Sequence, residues 1–307
     1  MEKHRWLVRS IWYPSVGMLY VKRHSVTTTM DAVKDLVKPL SSKISMSSKF
    51  PSSRQIDLEG IDFLCYSAES QTTGRGTQGS TWCSPPGNLH FTVAVRSSTV
   101  ENCKLSDGLR LFPVVTSLCT LASTKHALRR FMSMNCSHLN NMELQVCLQK
   151  MKLKWPNDLV YEQKKIAGVL IEQFGDWFLI GVGVNILKSP RILDSGRTAS
   201  SFLRIGNLRA PHVKIDMEPF RRNYVKDFVG RLRAVLEFPE ERNRRTTYAN
   251  PTEMLRVYEK SLANDLVYQE RTGKRKYIPL RIDNEGALVA REHGTNNIRT
   301  FSSTYLY

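Results

Sequence analysis

A chain of 307 residues, 41% hydrophobic and 24% charged, has enough apolar material for one large core, or for one main domain with a small appendage. It contains no run of about 18 apolar residues, so no segment reads as a membrane-spanning helix. With 45 Lys+Arg against 28 Asp+Glu the formal charge is +17, which suits acidic partners; the basic residues are dispersed rather than striped along a helix, and nucleic-acid binding ranks below an acidic protein partner.

Residues 1–17 read as an N-terminal extension. Lys3, Arg5, Arg9, Lys22 and Arg23 against the single acid Glu2 admit a mitochondrial presequence as an alternative. The segment runs directly into a strand, so an ordinary extension and a cytoplasmic location are favoured. Gly17–His24 is predicted as the first strand, and Thr27-Thr28-Thr29 caps the helix that Asp31–Val37 begins. The Ser- and Lys-rich stretch 38–56 has the composition of a surface insertion. Ile61–Ala68 is a buried strand that ends just before a glycine-rich loop.

Leu89, Phe91, Val93 and Val95 alternate with polar residues as in a half-buried strand, and Leu111, Val115, Leu118, Cys119 and Ala122 recur at helical spacing within a helix over 109–132. Strands at 152–155, 159–161, 166–173 and 177–184 follow, joined by tight turns in sequential antiparallel hairpins. A helix opens near Asp216 and Pro219, with Phe220, Tyr224, Phe228, Leu232 and Leu236 as its apolar stripe opposite Arg221, Lys226 and Arg233. The arginine-rich stretch 237–251 reads as a linker. Strands at 277–282, 287–290 and 300–305 complete a small all-β C-terminal unit. The fold class is therefore α+β: a mixed, mainly antiparallel sheet packed with helices over 18–250, and a small C-terminal β-barrel over 251–307.

Chemistry concentrates in two loops. Met151, Leu153 and Trp155 alternate with Lys150, Lys152 and Lys154, and Pro156 then ends the strand because it has no N–H to donate. A cation is thereby fixed at a strand end beside the turn Asn157-Asp158, with Lys165 across the hairpin, an arrangement suited to an anion. Gly74-Arg75-Gly76-Thr77-Gln78-Gly79 follows a strand, but no β-α-β unit follows it, which removes a dinucleotide fold. Its glycines let backbone N–H groups approach phosphate or carboxylate oxygens, and Arg75 adds a charged fork. Trp82, set among Thr81, Ser84, Pro85 and glycines, is placed to stack on a planar ligand. The six cysteines show no zinc spacing and read as free thiols in a reducing compartment.

The order of these motifs resembles the biotin protein ligases of the biotin/lipoate ligase superfamily. The resemblance is carried by Thr28-Thr29-Met30, Gln71 with Gly74-Arg75-Gly76, Trp82-Cys83-Ser84-Pro85, Lys154-Trp155-Pro156-Asn157-Asp158, Lys165-Ile166-Ala167-Gly168, Ile180–Asn185 and, more loosely, Thr198–Phe202 and Leu280–Leu288. It implies a catalytic fold of the class II aminoacyl-tRNA synthetase type. It also implies two-step chemistry: biotin and MgATP give biotinyl-5′-adenylate and pyrophosphate, then a lysine of a carboxylase biotin carrier domain is acylated.

By the same resemblance Lys154 and Arg75 are catalytic. Thr28, Thr29, Met30, Gln71, Gly74, Gly76 and Thr77 join them around biotin, while Trp82, Asn157, Lys165, Ala167, Gly168 and Asn185 hold the nucleotide; the magnesium ligands stay unassigned. Thr77 stands where relatives commonly carry a second arginine. One charged hydrogen bond, worth about 1.5–3 kcal/mol, is thus missing from the hold on the adenylate. The rival within the superfamily is a lipoate or octanoate ligase, which would show a glycine triplet that this loop lacks; the rival outside it is a basic nucleic-acid-binding module. No DNA-binding domain is expected before residue 18, and the state expected is a monomer or weak dimer.

Overall fold

The computed structural model describes residues 10–41, 61–103, 108–136, 139–190, 199–209, 212–236, 250–270 and 273–302. Its frame is an eight-stranded sheet in the order β1-β2-β3-β4-β8-β7-β6-β5. These strands are β1 (Ser10–Tyr13), β2 (Met18–Val26), β3 (Phe63–Gln71), β4 (Leu89–Arg96), β5 (Met151–Lys154), β6 (Asp158–Tyr161), β7 (Lys164–Phe174) and β8 (Trp177–Val184). Among the described strands of this sheet only β2 and β3 pair in parallel, and the connection between them contains the helix α1 (Thr29–Ser41). The expected α+β class with a mainly antiparallel sheet is what is found.

The first strand is β1, inside the stretch read as an extension, and not β2. Gly17 in the left-handed region (φ 60°) turns the chain after Pro14–Val16, so Ser10–Tyr13 folds back antiparallel onto β2 as the sheet's edge. The other residues of that extension, the insertion from 42 on and most of the linker (237–249) lie outside the described residues.

One face of the sheet carries Met18, Tyr20, Phe63, Cys65, Phe91, Val93, Ile180, Val182, Leu159 and Leu153, and packs against α3 (Gly108–Asn135) and α6 (Met217–Leu236), which the short helices α2 (Ser97–Glu101) and α5 (Phe202–Ile205) respectively precede in the chain. Helix α3 is longer than its periodicity suggested, and it is buried on more than one side. Thr116, Ser117, Thr120, Ser123 and Thr124 are all enclosed, and Thr120 and Thr124 donate to the carbonyls of Thr116 and Thr120 at 2.7 and 2.6 Å. Arg221, assigned above to the polar side of α6, is 2% exposed and is held by Glu218 at 3.1 Å, so the stripe of α6 is wider than its apolar residues alone.

The helix α4 (Asn141–Gln149) was not anticipated, because only Leu144 and Leu148 of it are buried; its capping box, Asn140 with Glu143, was nevertheless written in the sequence. Among the described residues, the opposite face of the sheet is covered only in part. There α1 lays Met30, Val33 and Val37 over Leu19, Val21, Leu64, Tyr66, Ala94 and Leu179. The rest of that face is left for a pocket.

Beyond residue 250 the chain is not all-β. Asn250 accepts from the Glu253 N–H and Pro251 occupies the first turn, starting α7 (Pro251–Ser261), which buries Met254 and Tyr258. A separate antiparallel sheet follows in the order β12-β11-β10-β9, from β9 (Tyr268–Gln269), β10 (Lys276–Ile282), β11 (Leu288–Glu292) and β12 (Ile298–Phe301). The last five residues lie outside the described set.

Candidate active site

Register places the site. Lys154 pairs with Asp158, Asp158 with Gly168, Gly168 with Gly183 and Gly183 with His90, one row running across β5, β6, β7, β8 and β4. Directly paired residues of antiparallel strands project from the same face, and this is the face left open by α1. Three strand spacings separate Gly183 from Lys154, roughly 14 Å. A cation, a carboxylate and a floor without side chains therefore share one line.

Trp82 rests on that floor. A Cβ built on Gly183 would meet the indole at 2.4 Å, and one on Gly168 would meet it at 3.1 Å. The ring is carried by a flap whose strand-like ends are joined by the Gly76 N–H to Ser80 O (2.7 Å) and Trp82 N–H to Gly74 O (2.8 Å) bonds. Gly74 is needed there because any Cβ would sit 2.3 Å from the Trp82 carbonyl. With the indole in place the cavity volume is about 50 Å³, room for water but not for a nucleotide. Its indole Nε1 is buried without a partner among the described residues, so the ring has reason to exchange this seat for another.

The other wall is the start of α1. Thr28 Oγ1 caps the helix by accepting from the Asp31 N–H at 2.8 Å. The Gln71 side-chain carbonyl accepts from the Thr29 N–H (2.8 Å) and Thr29 hydroxyl (3.1 Å), while its amide donates to Ser84 Oγ (2.7 Å). Gln71 thereby ties β3, α1 and the flap together. Thr29 Oγ1 also meets Thr92 Oγ1 at 2.9 Å. A hydrogen-bonding ligand at this wall would enter by taking over one of these bonds.

Charge is arranged in two groups. Arg75 Nη2 lies 2.8 Å from Asp31 and 3.6 Å from Glu172, and Lys34 bonds Glu172 at 2.6 Å. Lys165 pairs with Asp158 at 2.6 Å and stands 5.1 Å over the Trp82 ring. Thr28, Thr29, Met30, Gln71, Arg75, Gly76, Thr77, Trp82, Asn157, Lys165 and Gly168 all line the pocket. Four expected residues are off its wall: Gly74 sits at the base of the flap, Ala167 faces the core, and Asn185 is buried with its side-chain carbonyl accepting from Asn88 (3.2 Å). The fourth, Lys154, is 6% exposed with its ammonium 5.4 Å from the ring of Tyr268.

Sequence reasoning gave no site role to Asp158, Thr92, Gly181 or Gly183, although the glycines alternate with buried valines in β8 and so marked a bare strip on one face. Asn88 escaped as well. Its carbonyl accepts from the backbone N–H groups of Ile186, Leu187 and Lys188, fixing the chain as it leaves β8.

His90, beside Gly183 in the row, donates from Nε2 to Pro85 O at 3.3 Å, and burial pushes its pKa down to about 4. The folded state therefore refuses a proton that the unfolded chain accepts near pH 6.5. Stability is lost as pH falls from that value towards 4, by about 3 kcal/mol at the lower limit. Urea midpoints at pH 7 and 5 should converge for His90→Gln relative to the wild type; an equal acid shift in both proteins counts against His90 as the source.

The fold is that of the biotin protein ligase catalytic domain. The biotin protein ligase of Leishmania major, solved in complex with biotin, superposes with a TM-score of 0.61 at 22% identity, covering 95% of this chain and 100% of that one. The ligase of Aquifex aeolicus, solved with biotin and ATP, gives 0.59 at 18% identity, covering 94% and 97%. A biotin--[acetyl-CoA-carboxylase] ligase of Mycobacterium tuberculosis is 26% identical over 156 residues, 49% of this chain and 47% of its own length. The chain thus spans about half the length of the curated relatives it matches. Residues 63–185 match the model of the biotin/lipoate A/B protein ligase family. Among the described residues no helix is long and apolar enough to cross a membrane.

Proposed function

We propose that this chain is a biotin protein ligase, which condenses biotin with ATP to biotinyl-5′-adenylate and then passes the biotinyl group to a lysine of a carboxylase carrier domain. The observation that carries the reading is the transverse row, in which Lys154, Asp158, Gly168 and Gly183 set a cation at one end of a bare floor. An acyl group joined to a nucleotide needs such a groove: flat for the base, polar at the ureido end, and positive where carboxylate and α-phosphate meet.

In the first step the biotin carboxylate oxygen attacks the α-phosphorus and pyrophosphate leaves with its electron pair. Negative charge is crowded at the attacked phosphorus, so preorganised donors carry most of the rate enhancement. Lys154, Arg75 and the N–H groups of the flap are the donors assigned to it. Arg75 is half-exposed and reaches an incoming anion by releasing Asp31 and Glu172, an exchange of exposed ion pairs that costs little. In the second step the carrier amine attacks the acyl carbonyl and AMP departs; no enzyme nucleophile is used.

The donors fit magnesium bound mainly through phosphates. Among the described residues there is no group of three or more His, Cys, Asp or Glu side chains that could hold a metal ion, while Asp158 places one carboxylate on the pocket wall. Magnesium is commonly held by one or two carboxylates plus substrate phosphates. Asp158, paired with Lys165 at 2.6 Å without the ion, is the carboxylate that would hold it once that pair opened, and the ion would supply neutralising charge to the phosphates. Thr28, Thr29, Met30, Gln71, Gly76 and Thr77 are assigned to biotin, and Trp82, Asn157, Lys165 and Gly168 to the nucleotide.

Incubation with labelled biotin, MgATP and a biotin carrier domain, run in parallel with labelled lipoate, tests the reading. Label from biotin should appear on the carrier. Transfer from lipoate alone would overturn the assignment in favour of a lipoate ligase.

A further inference from the structure

We infer that Tyr268 is a positioning residue for Lys154, and that the C-terminal unit acts on the adenylation step through it. The inference rests on the ligase reading above and goes further by naming what aims the lysine. Strand β5 is the outer edge of the eight-stranded sheet, where unpaired backbone groups leave a strand free to shift. Here the segment from 258 onward fills that edge. Leu262 bridges Leu153, and the Ala263 N–H donates to Leu153 O at 2.8 Å. Trp155 Nε1 donates to Gly286 O at 2.9 Å, and the Tyr258 hydroxyl to Pro156 O at 3.2 Å. Residues on both sides of Lys154 are thus pinned by the C-terminal unit.

The side chain itself ends over the Tyr268 ring, at 5.4 Å from its centroid, with both residues almost fully buried. The choice of partner matters. Asp158, the carboxylate opposite Lys154 in the register, is taken by Lys165 at 2.6 Å. A carboxylate against Lys154 would cancel its charge and compete with an anionic substrate. A ring face holds an ammonium by its quadrupole and leaves the net charge, with N–H groups still able to donate. The two lysines are therefore held differently: Lys165 neutralised, Lys154 aimed but still positive.

The test replaces Tyr268 in the full chain with phenylalanine and with phenylalanines bearing one, two and three ring fluorines, which weaken the quadrupole at nearly constant size. Biotin-dependent exchange of radiolabelled pyrophosphate into ATP is measured. Phenylalanine should keep kcat near wild type. The fluorinated series should lower kcat stepwise, reaching roughly tenfold at three fluorines, with the KM for biotin and the thermal midpoint nearly constant. Tyr268→Met should fall at least as far, again with the KM for biotin nearly constant, because the buried ammonium has lost the face that aims it. A flat fluorine series with active wild type overturns this inference alone; absence of exchange in wild type overturns the ligase reading and this inference with it.

Discussion

Substituting Lys154 with alanine is expected to slow biotin-dependent pyrophosphate exchange by two to three orders of magnitude. The estimate follows from loss of one preorganised donor at a developing charge, about 3–4 kcal/mol of transition-state stabilisation. Lys154 is fixed at the end of β5, immediately before the turn at Trp155–Asn157, so its ammonium cannot be replaced by a neighbour. Lys165, the other lysine on the pocket wall, is committed to Asp158 at 2.6 Å. The loss should fall mainly on kcat, since an interaction made chiefly in the transition state does little for ground-state binding.

A stability effect has to be separated from this, because the lysine stem is buried against Tyr268. Lys154→Met keeps the stem and removes the charge; it should unfold close to wild type and be as inactive as Lys154→Ala. Single-turnover formation of pyrophosphate by either purified variant at the wild-type rate would remove Lys154 from the chemistry.

Much of the frame was legible because period-two alternation and turn residues are local. The hairpins from β5 to β8, the cap at Thr28 and the buried strand β4 follow from neighbours in sequence. What the sequence hid was decided at long range. The alternation of Lys150, Lys152 and Lys154 describes a strand with one wet face, and Lys152 is indeed only half-buried; Lys154 is enclosed because Tyr268 arrives from the second sheet. Arg221 looked like a surface residue for the same reason, its burial depending on Glu218 and on the elements that α6 meets. Asn185 read as a ligand because its motif resembles one, yet nothing local shows that Asn88 holds it. The helix α7 could have been found from Asn250-Pro251 and Glu253, a cap, a first-turn proline and a first-turn acid in succession.

The glycine floor leads to the second large effect. Gly183→Val should abolish nucleotide binding at ordinary ATP concentrations, raising the KM for ATP at least tenfold while the sheet stays folded. At Gly183 a Cβ would lie 2.4–2.6 Å from three atoms of the Trp82 indole, closer than side chains pack. The obstacle is the end of a flap side chain and not backbone, so the fold can yield by letting the ring leave, for an overpacking cost of about 1–3 kcal/mol. The branched side chain then stands where any planar ring would lie. Nearby glycines grade the effect. At Gly168 the contacts of a Cβ are at 3.1 Å or more, and at Gly181 the nearest is the Met30 Cε at 3.0 Å, so Gly168→Ala and Gly181→Ala should cost less than Gly183→Ala, and Gly183→Val most. Displacement of the indole into water would be read from a red-shifted tryptophan emission in Gly183→Val that disappears in a Trp82→Phe background. Since the pocket has only about 50 Å³ free while Trp82 sits on it, saturating ATP should produce a spectral change of the same origin in wild type. Tight ATP binding by Gly183→Val, or emission unaffected by ATP in a wild type that binds it, would show that the nucleotide lies elsewhere.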